Sequence, residues 1–148
     1  MHQAKRYHDI SCGHRVVGHE GKCRHLHGHN YRIHFTCQSN GLDNVGRVVD
    51  FSVMKEKLCM WLEREWDHKT LIWTQDPLTK VLLDTHTPTG DANTLRDGIV
   101  LVHFNPTAEN IAQHLVEIIG PRVLDGTGVV LIHCEVEETR KCSASYSI

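Results

Sequence analysis

His25-Leu26-His27-Gly28-His29-Asn30-Tyr31 places three imidazoles at every second position. In an extended strand successive side chains point to opposite faces, so all three would share one face with Tyr31, Ile33 and Phe35. The β-branched and aromatic residues that follow predict a strand from about His27 to Ser39, closed by the turn chemistry of Asn40-Gly41-Leu42-Asp43-Asn44. Two imidazoles so placed can grip one metal ion, and Gly28 leaves room on the opposite side. A catalytic zinc takes three protein ligands and keeps a fourth position open. The third candidate is His14, in Ser11-Cys12-Gly13-His14-Arg15. With 13 histidines among 148 residues most must be bystanders. Spacing alone allows His25 with His27 as readily as His27 with His29.

The length fits one domain, 1–148, large enough to bury a core. With 40% apolar and 23% charged residues and a formal charge of -2, the chain has no basic field for nucleic acid. The N-terminal Met1-His2-Gln3-Ala4-Lys5-Arg6-Tyr7-His8 lacks a signal-peptide core, and no segment approaches the ~20 apolar residues that span a bilayer. A cytoplasmic location is expected, with neither membrane nor nucleic acid as partner. In a reducing compartment the six cysteines are free thiols, most of them small core residues. Cys23 differs: it stands between Lys22 and Arg24, just before the histidines, where positive charge favours a thiolate able to move protons.

From Arg6 to Val16 the chain reads as a strand carrying His14 near its end. The loop Gly18-His19-Glu20-Gly21-Lys22 then delivers Cys23 beside the metal site. Phe51 to Trp66 reads as a helix, with Met54, Leu58, Trp61 and Leu62 on one stripe. Asp67-His68 follows, a carboxylate beside an imidazole at a helix end. The stretch from Leu71 to Leu101, where Asp76-Pro77, Thr87-Pro88-Thr89-Gly90-Asp91 and Arg96-Asp97-Gly98 mark turns around the short apolar run Val81-Leu82-Leu83, predicts a long loop with a little local structure. Asn105-Pro106 predicts a helix start, with Asn as the cap, Glu109 in the first turn and Gly120-Pro121 as the stop. Gly128 to Val136 is a β-rich run that Glu137-Glu138-Thr139 closes.

The order His14, Cys23, His27-Gly28-His29-Asn30-Tyr31, Asp50-Phe51, Asp67-His68, Pro106-Thr107-Ala108-Glu109-Asn110, Glu138-Thr139 resembles the 6-pyruvoyl-tetrahydropterin synthase family along nearly the whole chain. The placement of Cys23 four residues before His27 is most like its bacterial 6-carboxytetrahydropterin synthase branch, in the queuosine pathway. The resemblance implies an α+β tunnelling fold (T-fold): an antiparallel sheet with two helices on one face, assembling into a multi-subunit β-barrel. It implies a homo-oligomer, a hexamer, with active sites at subunit interfaces. By the same resemblance His14, His27 and His29 bind zinc, and His25 drops out. Cys23 becomes a catalytic thiolate, Asp67 with His68 a second acid-base unit, and Glu138 the pterin anchor, with Glu137 as the neighbouring alternative. Thr107, Glu109 and Phe51 become substrate contacts, although Ala108 stands where some members carry a hydroxyl. The implied reaction is a lyase step on 7,8-dihydroneopterin triphosphate, giving 6-carboxy-5,6,7,8-tetrahydropterin, acetaldehyde and triphosphate. Alternatives are 6-pyruvoyl-tetrahydropterin formation, pterin side-chain cleavage, or a non-catalytic zinc- and pterin-binding protein.

Overall fold

The computed structural model describes residues 1–84 and 96–148; the expected turn Thr87-Pro88-Thr89-Gly90-Asp91 lies outside the described residues. Two long strands come first, β1 (Gln3–His14) and β2 (His27–Ser39), joined through a single 3-10 turn at Lys22–Arg24. They pair antiparallel over their whole length, from Gln3 opposite Gln38 to His14 opposite His27. The helix α1 runs through Phe51–Met54, a π-helical middle Lys55–Cys59, and Met60–Glu65. Asp50 caps it by accepting the Ser52 N–H at 2.8 Å. Beyond it come β3 (Lys69–Trp73), a short α2 (Leu78–Leu83) and β4 (Ile99–Val102). The helix α3 runs through Ala108–His114, a π-helical Leu115–Ile119 and Gly120–Val123, and β5 (Val129–Thr139) and β6 (Cys142–Ser147) close the chain.

All six strands form one sheet in the order β4-β3-β1-β2-β5-β6. The sheet is mixed, which corrects the expectation of an antiparallel one: β3 lies parallel to both β1 and β4. The expected long loop from Leu71 to Leu101 is corrected too, since β3, α2 and β4 are built there and the run Val81-Leu82-Leu83 lies in α2. Gly13 lets β3 approach, because a Cβ there would stand 2.9 Å from Thr70 Oγ1.

One face of the sheet is covered by α1 and α3. Met54, Leu58, Leu62 and Trp66 from the first helical region and Ile111, Leu115 and Ile119 from the second pack on Ile10, Cys12, Tyr31, Ile33, Phe35, Leu131, Cys134 and Val136. Cys12, Cys37, Cys59 and Cys134 are buried as expected of core thiols, whereas Cys142 is exposed. Along β5 the buried positions change parity, from Val129 and Leu131 to Cys134 and Val136. A bulge causes the change: Cys37 faces Leu131 while its neighbour Thr36 faces His133.

Two expected boundaries of α3 move. Thr107, not Asn105, is the cap, its hydroxyl accepting the Asn110 N–H at 3.2 Å. Gly120-Pro121 does not stop the helix, which continues to Val123. At Gly120 a Cβ would lie 2.9 Å from Leu131 Cβ. Helix propensity alone favours Gly120→Ala by about 1 kcal/mol. Overpacking against a β-carbon that cannot swing away costs about 1–3 kcal/mol. The variant should therefore unfold at lower urea than the parent, and a raised midpoint would contradict this packing.

Candidate metal centre and active site

The pairing of β1 and β2 sets His14 directly opposite His27, with His29 two residues further along the same, helix-facing side. One ring nitrogen from each of His14, His27 and His29 lies within 4.8 Å of the others, a group able to hold a metal ion. His14 is 1% exposed, and its Nδ1–H donates to the Pro106 carbonyl at 2.7 Å. His27 Nδ1–H donates likewise to the His25 carbonyl at 2.6 Å. A carbonyl can only accept, so each ring carries its proton on Nδ1 and turns an Nε2 lone pair into the group. His25, which alternation alone had allowed as a ligand, precedes β2 and contributes that carbonyl instead.

The group fits a cation. Among the described residues His14 Nε2 is buried without a hydrogen-bond partner, and His27 Nε2 faces His29 Nε2 at 3.1 Å. Burial lowers the His14 pKa to about 4 and also lowers that of His29, so neutral, ligating rings are favoured at neutral pH. Glu138 stands beside them, its oxygens 3.9 Å from His14 Nε2 and 3.7 Å from His29 Nε2. Both distances are too long for hydrogen bonds, so its acceptors remain open to a ligand. Tyr31 seals the inner side, its ring edge-on to His14 and His29 at 5.7 and 5.4 Å between centroids.

The β5 bulge sets which of the two adjacent glutamates lies on the histidine side of the sheet. Continued from Cys134 and Val136, the shifted parity turns Glu138 to the helix side, while Glu137 faces the other way and meets His34 at 3.2 Å. Glu138 lines a cavity of about 280 Å³ with His14, His19, Cys23, Thr107, Glu109 and Cys142. The half-buried Cys23 is carried by the 3-10 turn, its carbonyl accepting the Val16 N–H at 2.8 Å.

Asp67 and His68 belong to a second, larger cleft. It measures about 880 Å³ and is lined by Ser11, Asn30 and Arg32 as well as His29 and Glu138. His68 Nδ1–H donates to Asp67 at 2.7 Å, leaving Nε2 free on a largely exposed ring. Ser11 fixes the pair from both sides, its N–H donating to Asp67 at 2.9 Å and its carbonyl accepting the His68 N–H at 2.7 Å. His68 takes a left-handed backbone, φ 60°, which costs a residue with a side chain roughly 1–2 kcal/mol. Partial burial pushes the Asp67 carboxyl up, but the Ser11 amide and His68 ring outweigh it and hold the net value below the usual range. Cys23 and His68 thus line separate cavities that share Glu138. Phe51 lines neither; it sits at the far end of β1, where its carbonyl accepts from Arg6 at 3.2 Å.

Sequence reasoning missed the supports. Asn105, expected as a helix cap, instead binds both backbone groups of Val17, accepting at 3.0 Å and donating at 2.9 Å. The Pro106 carbonyl behind His14 carries no side-chain signal at all. If the three imidazoles are the ligand set, His14→Ala, His27→Ala and His29→Ala should each purify with most of the metal lost, and His25→Ala should retain it, since a backbone carbonyl survives that change. Stoichiometric metal in His27→Ala, measured by elemental analysis, would remove the assignment.

Residues 3–148 match the family model described as 6-pyruvoyl tetrahydropterin synthase. The 6-carboxy-5,6,7,8-tetrahydropterin synthase of Rickettsia bellii is 31% identical over 134 residues, covering 90% of this chain and 91% of that one. The Rickettsia felis protein of the same name is 33% identical over the same shares. Among solved structures, an uncharacterized protein from Wolinella succinogenes superposes with a TM-score of 0.84 at 26% identity, covering 99% of this chain and 97% of that one. The 6-pyruvoyl tetrahydropterin synthase of Caenorhabditis elegans shares the fold, with a TM-score of 0.66 at 22% identity over 99% of this chain and 94% of that one. A histidine group able to hold a metal, on this sheet and in this company, places the chain in the 6-pyruvoyl tetrahydropterin synthase family, as an enzyme of the pterin-synthase type.

Proposed function

We propose that this enzyme is a zinc-dependent lyase converting 7,8-dihydroneopterin triphosphate and water into 6-carboxy-5,6,7,8-tetrahydropterin, acetaldehyde and triphosphate, a step toward queuosine and related 7-deazapurines. The observation that carries the reading is the convergence of His14, His27 and His29 beside the cavity lined by Cys23 and Glu138. The similarity to proteins named 6-carboxy-5,6,7,8-tetrahydropterin synthase supports this product over the pyruvoyl one. Three neutral imidazoles suit zinc and leave one position for substrate. When bound, zinc supplies a Lewis-acidic dication that acidifies the side-chain hydroxyls of a pterin and the C–H bonds next to them.

The chain's own residues do the rest. Glu138, an acceptor-only carboxylate when ionised, holds the pterin through its amino and ring N–H donors. Thr107 and Glu109 line the same cavity and contact the ring from the start of α3. Cys23 exchanges a proton at Sγ on one side of the substrate. On another side His68 exchanges one at Nε2 while Asp67 holds its Nδ1–H. Because Phe51 lies outside both cavities of its own chain, it reaches substrate only from a neighbouring copy. The enzyme works as a hexamer whose sheets join into a barrel; the uncovered edge of β6 offers the backbone groups for such joining.

Chromatography of the pterin products from dihydroneopterin triphosphate tests the reaction. The 6-carboxy product with stoichiometric acetaldehyde is expected, and accumulation of the 6-pyruvoyl product would replace this reading with the other activity. Cys23→Ala and His68→Ala should keep metal and pterin binding while turnover falls by about 10²–10⁴-fold, the usual worth of a general acid or base. Asp67→Asn should be milder, because it disturbs the tautomer of His68 and spares the ring. Parent-level turnover in Cys23→Ala would remove the thiol from the mechanism.

A further inference from the structure

The turn that carries Cys23 sends no residue into the core. Lys22–Arg24 contains no buried residue and no side-chain cap, so polar ties bear on where the thiol stands relative to His14. The backbone supplies a few: Val16 N–H to the Cys23 carbonyl at 2.8 Å, and His25 N–H to the Lys22 carbonyl at 3.0 Å. Arg15, the residue after His14, supplies another kind. Its Nε and Nη2 donate to the two oxygens of Asp76 at 2.7 and 2.5 Å, and its Nη1 donates to the Arg24 carbonyl at 3.2 Å.

A guanidinium is planar, and two nitrogens bound to one carboxylate leave it no freedom to rotate. The third nitrogen is therefore aimed, and it meets the carbonyl of the residue next to Cys23. Asp76 is itself fixed: it is 4% exposed, accepts the Leu78 N–H at 2.8 Å at the start of α2, and its carbonyl accepts the Thr79 N–H at 3.0 Å. The Arg15 fork holds the Asp76 carboxyl below the usual carboxylate range. One side chain thus ties the end of β1, the Cys23 turn and the segment between β3 and α2.

We propose that Arg15 and Asp76 form a clamp that positions the Cys23 thiol over the cavity it shares with His14 and Glu138, both acting as positioning residues. The proposal rests on the reading of Cys23 as the reacting thiol. Misplacing a reacting group by about 1 Å can cost on the order of 10²-fold in rate. A lysine at 15 keeps the charge and loses the fork, while an asparagine at 76 keeps an acceptor for Leu78 and loses the paired carboxylate.

The test combines steady-state kinetics with hydrogen exchange on the metal-loaded parent, Arg15→Lys and Asp76→Asn. Both variants should keep their metal and a KM within about twofold, and lose kcat by about 10–100-fold. The Val16, Arg24 and His25 amides should exchange about tenfold faster or more, while protection along β1 and β2 stays at the parent level. Parent kcat in both variants would overturn the clamp. So would unfolding of Asp76→Asn, or exchange that rises throughout the sheet, since the pair would then serve overall stability. Cys23→Ala separates the two readings: full turnover in that protein removes the thiol's role, while the exchange measurement still reports on the clamp.

Discussion

The register between β1 and β2 is the constraint on which the rest of this molecule depends. Side chains alternate with period two, so a slip of one residue would turn a whole strand over. With His14 opposite His27, the same face carries Ile10, Cys12, Tyr31, Ile33 and Phe35 into the core and three imidazoles to its rim. Burial of the apolar residues thus fixes the register, and the register brings the nitrogens together. The cost is a polar cluster at the edge of the core, with a buried His14 Nε2 that finds no partner among the described residues. An orphaned lone pair of that kind is destabilising unless a ligand completes it.

Second supports turn this cluster into a site with a direction. Pro106 and His25 fix two ring tautomers through backbone carbonyls. Asn105 ties the chain beyond β1 to the start of α3, which carries Thr107 and Glu109 of the cavity wall. On the other side of the sheet Ser11 grips Asp67 and His68 with its own backbone, three residues from His14 on the same strand. The left-handed φ at His68 is the sort of local strain that folded proteins hold where a side chain must be aimed.

Much of this was legible in the sequence because its signals are local. The alternation of His27, His29, Tyr31, Ile33 and Phe35 marks β2 over His27–Ser39, and the stripe of Met54, Leu58 and Leu62 marks α1. What stayed hidden depends on partners far along the chain. Lys69–Trp73 and Ile99–Val102 are too short to announce themselves, and the close approach of β3 to β1 that Gly13 permits carries no sequence signal for a parallel pair. No pattern shows which of Glu137 and Glu138 faces the histidines, because that is set by a bulge opposite Thr36 and Cys37. The choice between His25 and His29 was likewise beyond spacing, since it turns on where β2 begins. The reach of Arg15 to Asp76 joins residues whose sequence context says only strand end and turn.

The proposed zinc site is open and built from imidazoles alone, with the Cys23 thiol beside it and not on the metal. X-ray absorption at the zinc edge on the purified enzyme reads that coordination. A sphere of nitrogen and oxygen neighbours at about 2.0–2.1 Å is expected, with three imidazoles among them and no sulfur. A sulfur neighbour at about 2.3 Å would contradict it, because Cys23 would then be a fourth ligand and the site would be closed.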